Sequence, residues 1–230
     1  QYNMGFYRGP NIVTDGLTHA FDAGSTRSYP GSGTTANDLI SAATASLYNG
    51  VGFSTSNGGL WTFDGSDDSM QASVNTIPPT GAFTITFFYQ ISSAGGRGGM
   101  FERKETPSYN GVTLGQGGGN DWSFSVNNGT SAVTYSATYP TLNTWYSDVG
   151  IWDGVNTVTF YRNGVLQGST TGSTLGNLDT AGARGNLRIF GRDGVSVVGG
   201  KVSNFKIYNK ALSAAEVTQN FNAQKSRFGL

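Results

Sequence analysis

The chain has 230 residues, no formal net charge, no cysteine and only 12% charged residues. The missing cysteines exclude disulfides, thiolate zinc sites and cysteine nucleophiles. No basic stripe points to nucleic acid, and no apolar run approaches the ~20 residues a spanning helix needs. One large β domain suits the length, since sandwiches and barrels often run to roughly 200–250 residues. Residues 1–14 read as an N-terminal arm, in which Pro10 removes a backbone donor and favours an edge or strapped-down extension. Gln1 opens the chain, so either a leader was removed or the first residues are not included; no apolar signal-peptide core is visible. Leu17 to Phe21 suits a first strand, and 24–38 is a run of turn formers, read as a loop. Residues 39–47, rich in Ala and Ser, suit a short helix or an irregular strap. Short strands follow at Trp61–Phe63 and Met70–Val74, and Pro78-Pro79 stops the second.

Phe83 to Ile91 alternates most cleanly. Phe83, Ile85, Phe87, Tyr89 and Ile91 share one face, which predicts a sheet covered on one side, with Phe88 the exception. Further strands are predicted at 99–102, 112–114, 122–126 and 133–135. Then comes the segment Trp145 to Ser169. Asp153-Gly154 and Asn163-Gly164 divide it into three strands of an antiparallel meander. Asn-Gly between β-branched and aromatic runs is a strong hairpin signal, because a mirror-type turn needs positive φ at both central residues. Strands at 187–190 and 202–208 complete roughly a dozen, with turn signals at sandwich spacing. One helix, 213–225, closes the domain. Ser213 and Glu216 form a capping box, and Leu212 and Val217 a hydrophobic staple. The predicted fold is therefore an all-β, two-sheet antiparallel sandwich over 15–226 with one short C-terminal α-helix, followed by a tail at 227–230.

Four motifs carry a family resemblance. They are Phe63-Asp64-Gly65 with Asp67-Asp68; Trp145 leading to Trp152-Asp153-Gly154; Phe160-Tyr161-Arg162-Asn163-Gly164; and Val202 to Ser213 running into the helix. Together they resemble the laminin-G-like jelly roll of the concanavalin A-like lectin/glucanase superfamily. The opening, Phe6 to Leu17, and the closing segment, Ala214 to Gly229, resemble such domains in virion structural proteins of marine tailed phages. The resemblance implies a concanavalin A-like jelly roll on a virion surface. It implies contact with other virion proteins, with self-association and a host surface glycan as further partners. Phe6, Tyr7, Arg8, Arg227 and Phe228 are the candidate docking residues.

The glucanase branch carries Glu-x-Asp-x-Glu on one strand, so that alternate carboxylates share a face. This chain has only Glu102, Glu105 and Glu216, and none stands in that pattern. No catalytic residue is assigned, and a non-enzymatic module is expected. His19 is the only histidine, which argues against zinc and against a triad. No cofactor is required, but Asp64, Asp67 and Asp68 are close enough in sequence to hold calcium, which takes six to eight oxygens. The alternative is a turn and a solvated loop. Tyr29, Tyr109, Tyr139 and Tyr146 lie in or near loops and are the candidate glycan contacts, while most of the four tryptophans are expected in the core. The leading expectation is a capsid decoration, fibre or tail-associated protein. A calcium-assisted lectin-like module comes second, and a glycoside hydrolase of the same fold third.

Overall fold

The computed structural model describes residues 10–93, 98–103 (backbone only for 101–103), 110–116, 121–179, 185–190 and 198–230. In chain order the strands begin with β1 (Leu17–Asp22), β2 (Thr35–Asn37), β3 (Thr44–Tyr48), β4 (Gly52–Ser54), β5 (Leu60–Phe63) and β6 (Ser69–Ala72). The middle of the chain supplies β7 (Phe83–Ile91), β8 (Gly98–Arg103), β9 (Gly111–Gln116), β10 (Trp122–Asn127) and β11 (Ala132–Ala137). Then come β12 (Trp145–Trp152), β13 (Thr157–Arg162), β14 (Val165–Thr171), β15 (Arg188–Ile189), β16 (Gly200–Tyr208) and the helix α1 (Ala214–Asn222).

The strands form two antiparallel sheets. One runs β14-β13-β12-β7-β16-β5-β4, with β1 also on β16; the other runs β11-β10-β9-β8-β15-β6-β3-β2. Their inner faces make one core, and Trp61, Trp122 and Trp152 are fully buried in it. The meander forms as expected. Asn163 and Gly164 take φ of 51° and 76°, the two positive values a mirror-type turn requires.

The first sheet is covered on both sides, not one. Every residue of β7 is buried. On the outer face α1 and the C-terminus pack down: Phe88 stacks on Phe228 at 5.0 Å, and Thr84 Oγ1 donates to the Lys210 carbonyl at 2.8 Å. Phe88 therefore belongs to a second, outer core. Phe190 and Tyr208 are likewise buried within the chain. Phe190 stacks on Phe63 at 4.9 Å, and the Tyr208 hydroxyl donates to the Val13 carbonyl at 3.0 Å.

Residues 39–47 are not helical. Ala45 and Leu47 are buried alternately in β3, which pairs with β6. A period of two outweighs Ala content here, because β6 offers a ladder and an isolated short helix has no face to bury. The helix carries the expected capping box at Ser213 and Glu216, but it ends at Asn222 and is followed by a 3₁₀ turn, Lys225–Phe228. Among the described residues no helix is long and apolar enough to cross a membrane.

Candidate functional site

The loop from β5 to β6 gathers three carboxylates. One oxygen from each of Asp64, Asp67 and Asp68 lies within 4.8 Å of the other two. The loop is shaped by short bonds. Asp64 N–H donates to Asp68 Oδ2 at 2.9 Å, Ser66 N–H donates to Asp64 Oδ1 at 2.8 Å, and Asn49 Nδ2 donates to the Asp67 carbonyl at 2.9 Å. Gly65 has φ of 86°, and a Cβ there would meet Gly199 N at 2.8 Å, so the loop is pressed against the start of β16. Asp64 and Asp67 are exposed, whereas Asp68 is 3% exposed and its Oδ1 has no hydrogen-bond partner among the described residues. Burial first, and then the charges of Asp64 and Asp67, push the Asp68 carboxyl above its ordinary value; the Asp64 N–H offsets only part of this. An orphaned buried oxygen among like charges is what a hard cation relieves. The donor set fits calcium.

The tyrosines expected at a glycan surface part company. Tyr29 is a core residue: it is buried, with its ring against Trp61 at 6.0 Å, and its hydroxyl donates to the Gly33 carbonyl at 2.7 Å. This corrects its assignment as a loop contact; turn formers surround it in sequence, but its own ring plugs the sandwich. Tyr109 lies outside the described residues. Tyr139 and Tyr146 are half-buried and share one corner. Tyr139 packs edge-on to Trp122 and donates to Gln116 Oε1 at 2.8 Å, while the Arg162 guanidinium covers the Tyr146 ring at 4.8 Å.

That corner is built on a group the sequence reading passed over. Asp148 is fully buried in β12. It accepts from Tyr89 Oη at 2.7 Å, Trp122 Nε1 at 2.8 Å, and Arg162 Nε and Nη2 at 2.8 and 2.9 Å. The bidentate guanidinium–carboxylate pair ties β12 to β13, and Trp122 ties it to the opposite sheet. The only signal in the sequence was an Asp on a strand with Arg162 fourteen positions on, and nothing in that spacing pairs them.

Phe6, Tyr7 and Arg8 lie outside the described residues. The other two docking candidates serve the chain itself. Arg227 pairs with Asp22 at 3.2 Å and its Nε donates to the Asn57 carbonyl at 3.0 Å, while Phe228 is buried against Phe88 and Trp145. They fasten the tail onto the first sheet, which corrects their assignment as docking residues. His19 is a half-buried strand residue whose Nδ1 lies 2.6 Å from Asp38 Oδ2. At the end of the first sheet, β14 (VLQGSTT) presents an edge with Val165 and Leu166 62% and 54% exposed.

A family model described as the concanavalin A-like lectin/glucanases superfamily, of laminin-G type, matches residues 64–218. The chain belongs to this superfamily. The match runs from the acidic loop through the meander into α1, the stretch that holds the four motifs except Phe63. No curated protein matches the chain in sequence. Among solved structures, the binding domain of botulinum neurotoxin DC in complex with rat synaptotagmin II superposes with a TM-score of 0.70 at 14% identity, over 91% of this chain and 52% of that one. A Trypanosoma rangeli sialidase in complex with sialic acid gives 0.67 at 17% identity, over 95% of this chain and 35% of that one. This superfamily chain thus spans about half the toxin structure and about a third of the sialidase. At such identity the likeness is one of fold.

Proposed function

We propose that the chain is a non-catalytic binding module that works by protein–protein contact at the surface of a virus particle. The observation that carries this is β14. It is the last strand of its sheet, seven residues long, with no charge and no proline, and two aliphatic side chains at its start face solvent. Free edges are normally blunted by charge, proline or a covering segment, because their open amides and carbonyls recruit another strand. Apart from Gln167, at an irregularity in the pairing, whose carbonyl accepts from Tyr135 Oη at 2.9 Å, this edge is suited to strand addition, with backbone bonds giving affinity and Val165 and Leu166 the anchor. The partner is another chain of the particle. The opening and closing segments, similar to those of phage virion proteins, support that setting.

The test places Leu166→Lys and Ser169→Lys together on the exposed side of β14. Particles assembled with this variant should carry at least about tenfold fewer copies of the chain, the effect of about 1.4 kcal/mol in binding. Unchanged occupancy, or absence of the wild-type chain from purified particles, sinks the reading. Concentration-dependent light scattering of the isolated chain tells self-pairing from pairing with a different protein.

Glycan binding is the second reading. It draws support from the Tyr139–Tyr146 corner and from a fold shared with toxin binding domains and a sialidase. A glycan array run with calcium and with chelator separates the two, and silence in both arms leaves protein contact alone.

In either reading Asp64, Asp67 and Asp68 hold a calcium ion that fixes the β5–β6 loop. Calcium at a hundredfold excess over its dissociation constant should stabilise the fold by about 2.7 kcal/mol. For a chain of this size that is a rise of roughly 5–10 °C in melting temperature. Chelator should remove the rise, and Asp68→Asn should abolish it. A melting curve indifferent to millimolar calcium rules the site out.

A further inference from the structure

A cleft of about 280 Å³ opens on the outer face of the first sheet, between β1, β16, the strap before β1, the loop after β2 and the C-terminal turn. Its lining includes Ile12, Leu17, Leu39 and Ile40, with Ile40 half exposed at the rim, and the polar Asp22, Gln224, Arg227 and Lys206. Lys206 is 4% exposed, and its Nζ donates to Asn204 Oδ1 at 2.5 Å and to Gln224 Oε1 at 3.1 Å. Both acceptors are neutral amides. The one carboxylate whose charge reaches it, Asp22, is already paired with Arg227 at 3.2 Å. A buried ammonium without its own counter-ion is costly, and among the described residues this one has used two of its three N–H groups. The cleft therefore lacks one negative charge and offers one unused donor beside an apolar slot.

We propose that this cleft binds a small aliphatic monocarboxylate, its carboxylate on Lys206 Nζ and its hydrocarbon chain between Ile12, Leu39 and Ile40. The size suits a short chain: the cleft lies just below the ~300–1,000 Å³ range of ligand pockets. The ligand is independent of the β14 contact and of the acidic loop. Burial brings the Lys206 ammonium down to about 8; Asp22 on β1 raises it and Arg227 on the C-terminal turn lowers it. A bound carboxylate favours the ammonium, so affinity should fall as pH rises above the Lys206 value.

The experiment is calorimetric titration of the full chain with hexanoate, acetate and hexanol. Hexanoate should bind saturably, with acetate (charge without chain) and hexanol (chain without charge) each at least about tenfold weaker. Lys206→Met, close in shape, should cost at least about tenfold and remove the pH dependence. Ile40→Glu, at an exposed rim position that does not bear on folding, should weaken hexanoate similarly by repelling the anion at the mouth. No saturable binding of hexanoate overturns the proposal. So does equal binding of acetate and hexanoate, or an affinity that neither variant changes.

Discussion

Replacing Asp148 with Ala is expected to lower the melting temperature by about 10 °C, from a loss of about 3–5 kcal/mol. The carboxylate is fully buried and serves four N–H or O–H donors from β7, β10 and β13. Truncation leaves the Arg162 guanidinium, itself mostly buried, without its counter-ion, and leaves Tyr89 and Trp122 with unmet donors. Burial first, and then the Asp148 charge, hold the Tyr89 phenol well above its ordinary value. The variant should therefore also let Tyr89 titrate at lower pH. A double change, Asp148→Leu with Arg162→Leu, should recover much of the loss, since an apolar pair carries no desolvation cost. Thermal unfolding followed by tryptophan fluorescence reads both, because Trp122 Nε1 loses its acceptor. A loss below about 1 kcal/mol would mean that packing alone holds the two sheets at this corner.

Gly115→Val is the second large effect expected, at about 3–5 kcal/mol. β8 and β9 cross at Gly99 and Gly115, which pair directly. A Cβ on Gly115 would sit 2.2 Å from the Gly98 carbonyl oxygen, and one on Gly99 would sit 2.3 Å from the Leu114 oxygen. The obstacle in each case is backbone, which cannot rotate away. Gly115 also holds φ of 146°, outside the comfortable range of a β-branched residue. Overpacking and backbone strain of about 1–3 kcal/mol each add here. Gly81→Ala is the control. Its φ is 81°, but nothing lies within 4 Å of the added methyl, so only the dihedral cost of about 1 kcal/mol remains. Chemical denaturation of both variants separates the terms. If Gly115→Val is no worse than Gly81→Ala, the strands slide apart at little cost.

Local rules were legible wherever a few adjacent residues decide the geometry. Asn163-Gly164 and the Ser213–Glu216 box needed only their own side chains and φ preferences, and both form as read. The acidic loop was legible for the same reason: Asp64, Asp67 and Asp68 are joined by one turn and cannot be far apart. Local rules do not reach positions where a distant segment decides. Tyr29 sits among turn formers, yet its ring is claimed by Trp61 and Phe53 from other strands. Arg227 and Phe228 read as docking residues because nothing near them in sequence explains them. Asp22 and Phe88, over a hundred positions away, do.

The alternation of apolar residues, the turn dipeptides and the cap determined by themselves that this is an antiparallel sandwich closed by one helix. Only the tertiary structure decided which strand faces are wet. A period of two says that side chains alternate, but not what lies over the second face. When α1 and the C-terminal turn fold back across β7 and β16, Phe88 becomes core and Lys206 becomes a buried cation. Asp148 meets its four donors only because β7, β10 and β13 converge there. Those partners are set by the stacking of two sheets, and no local spacing encodes it.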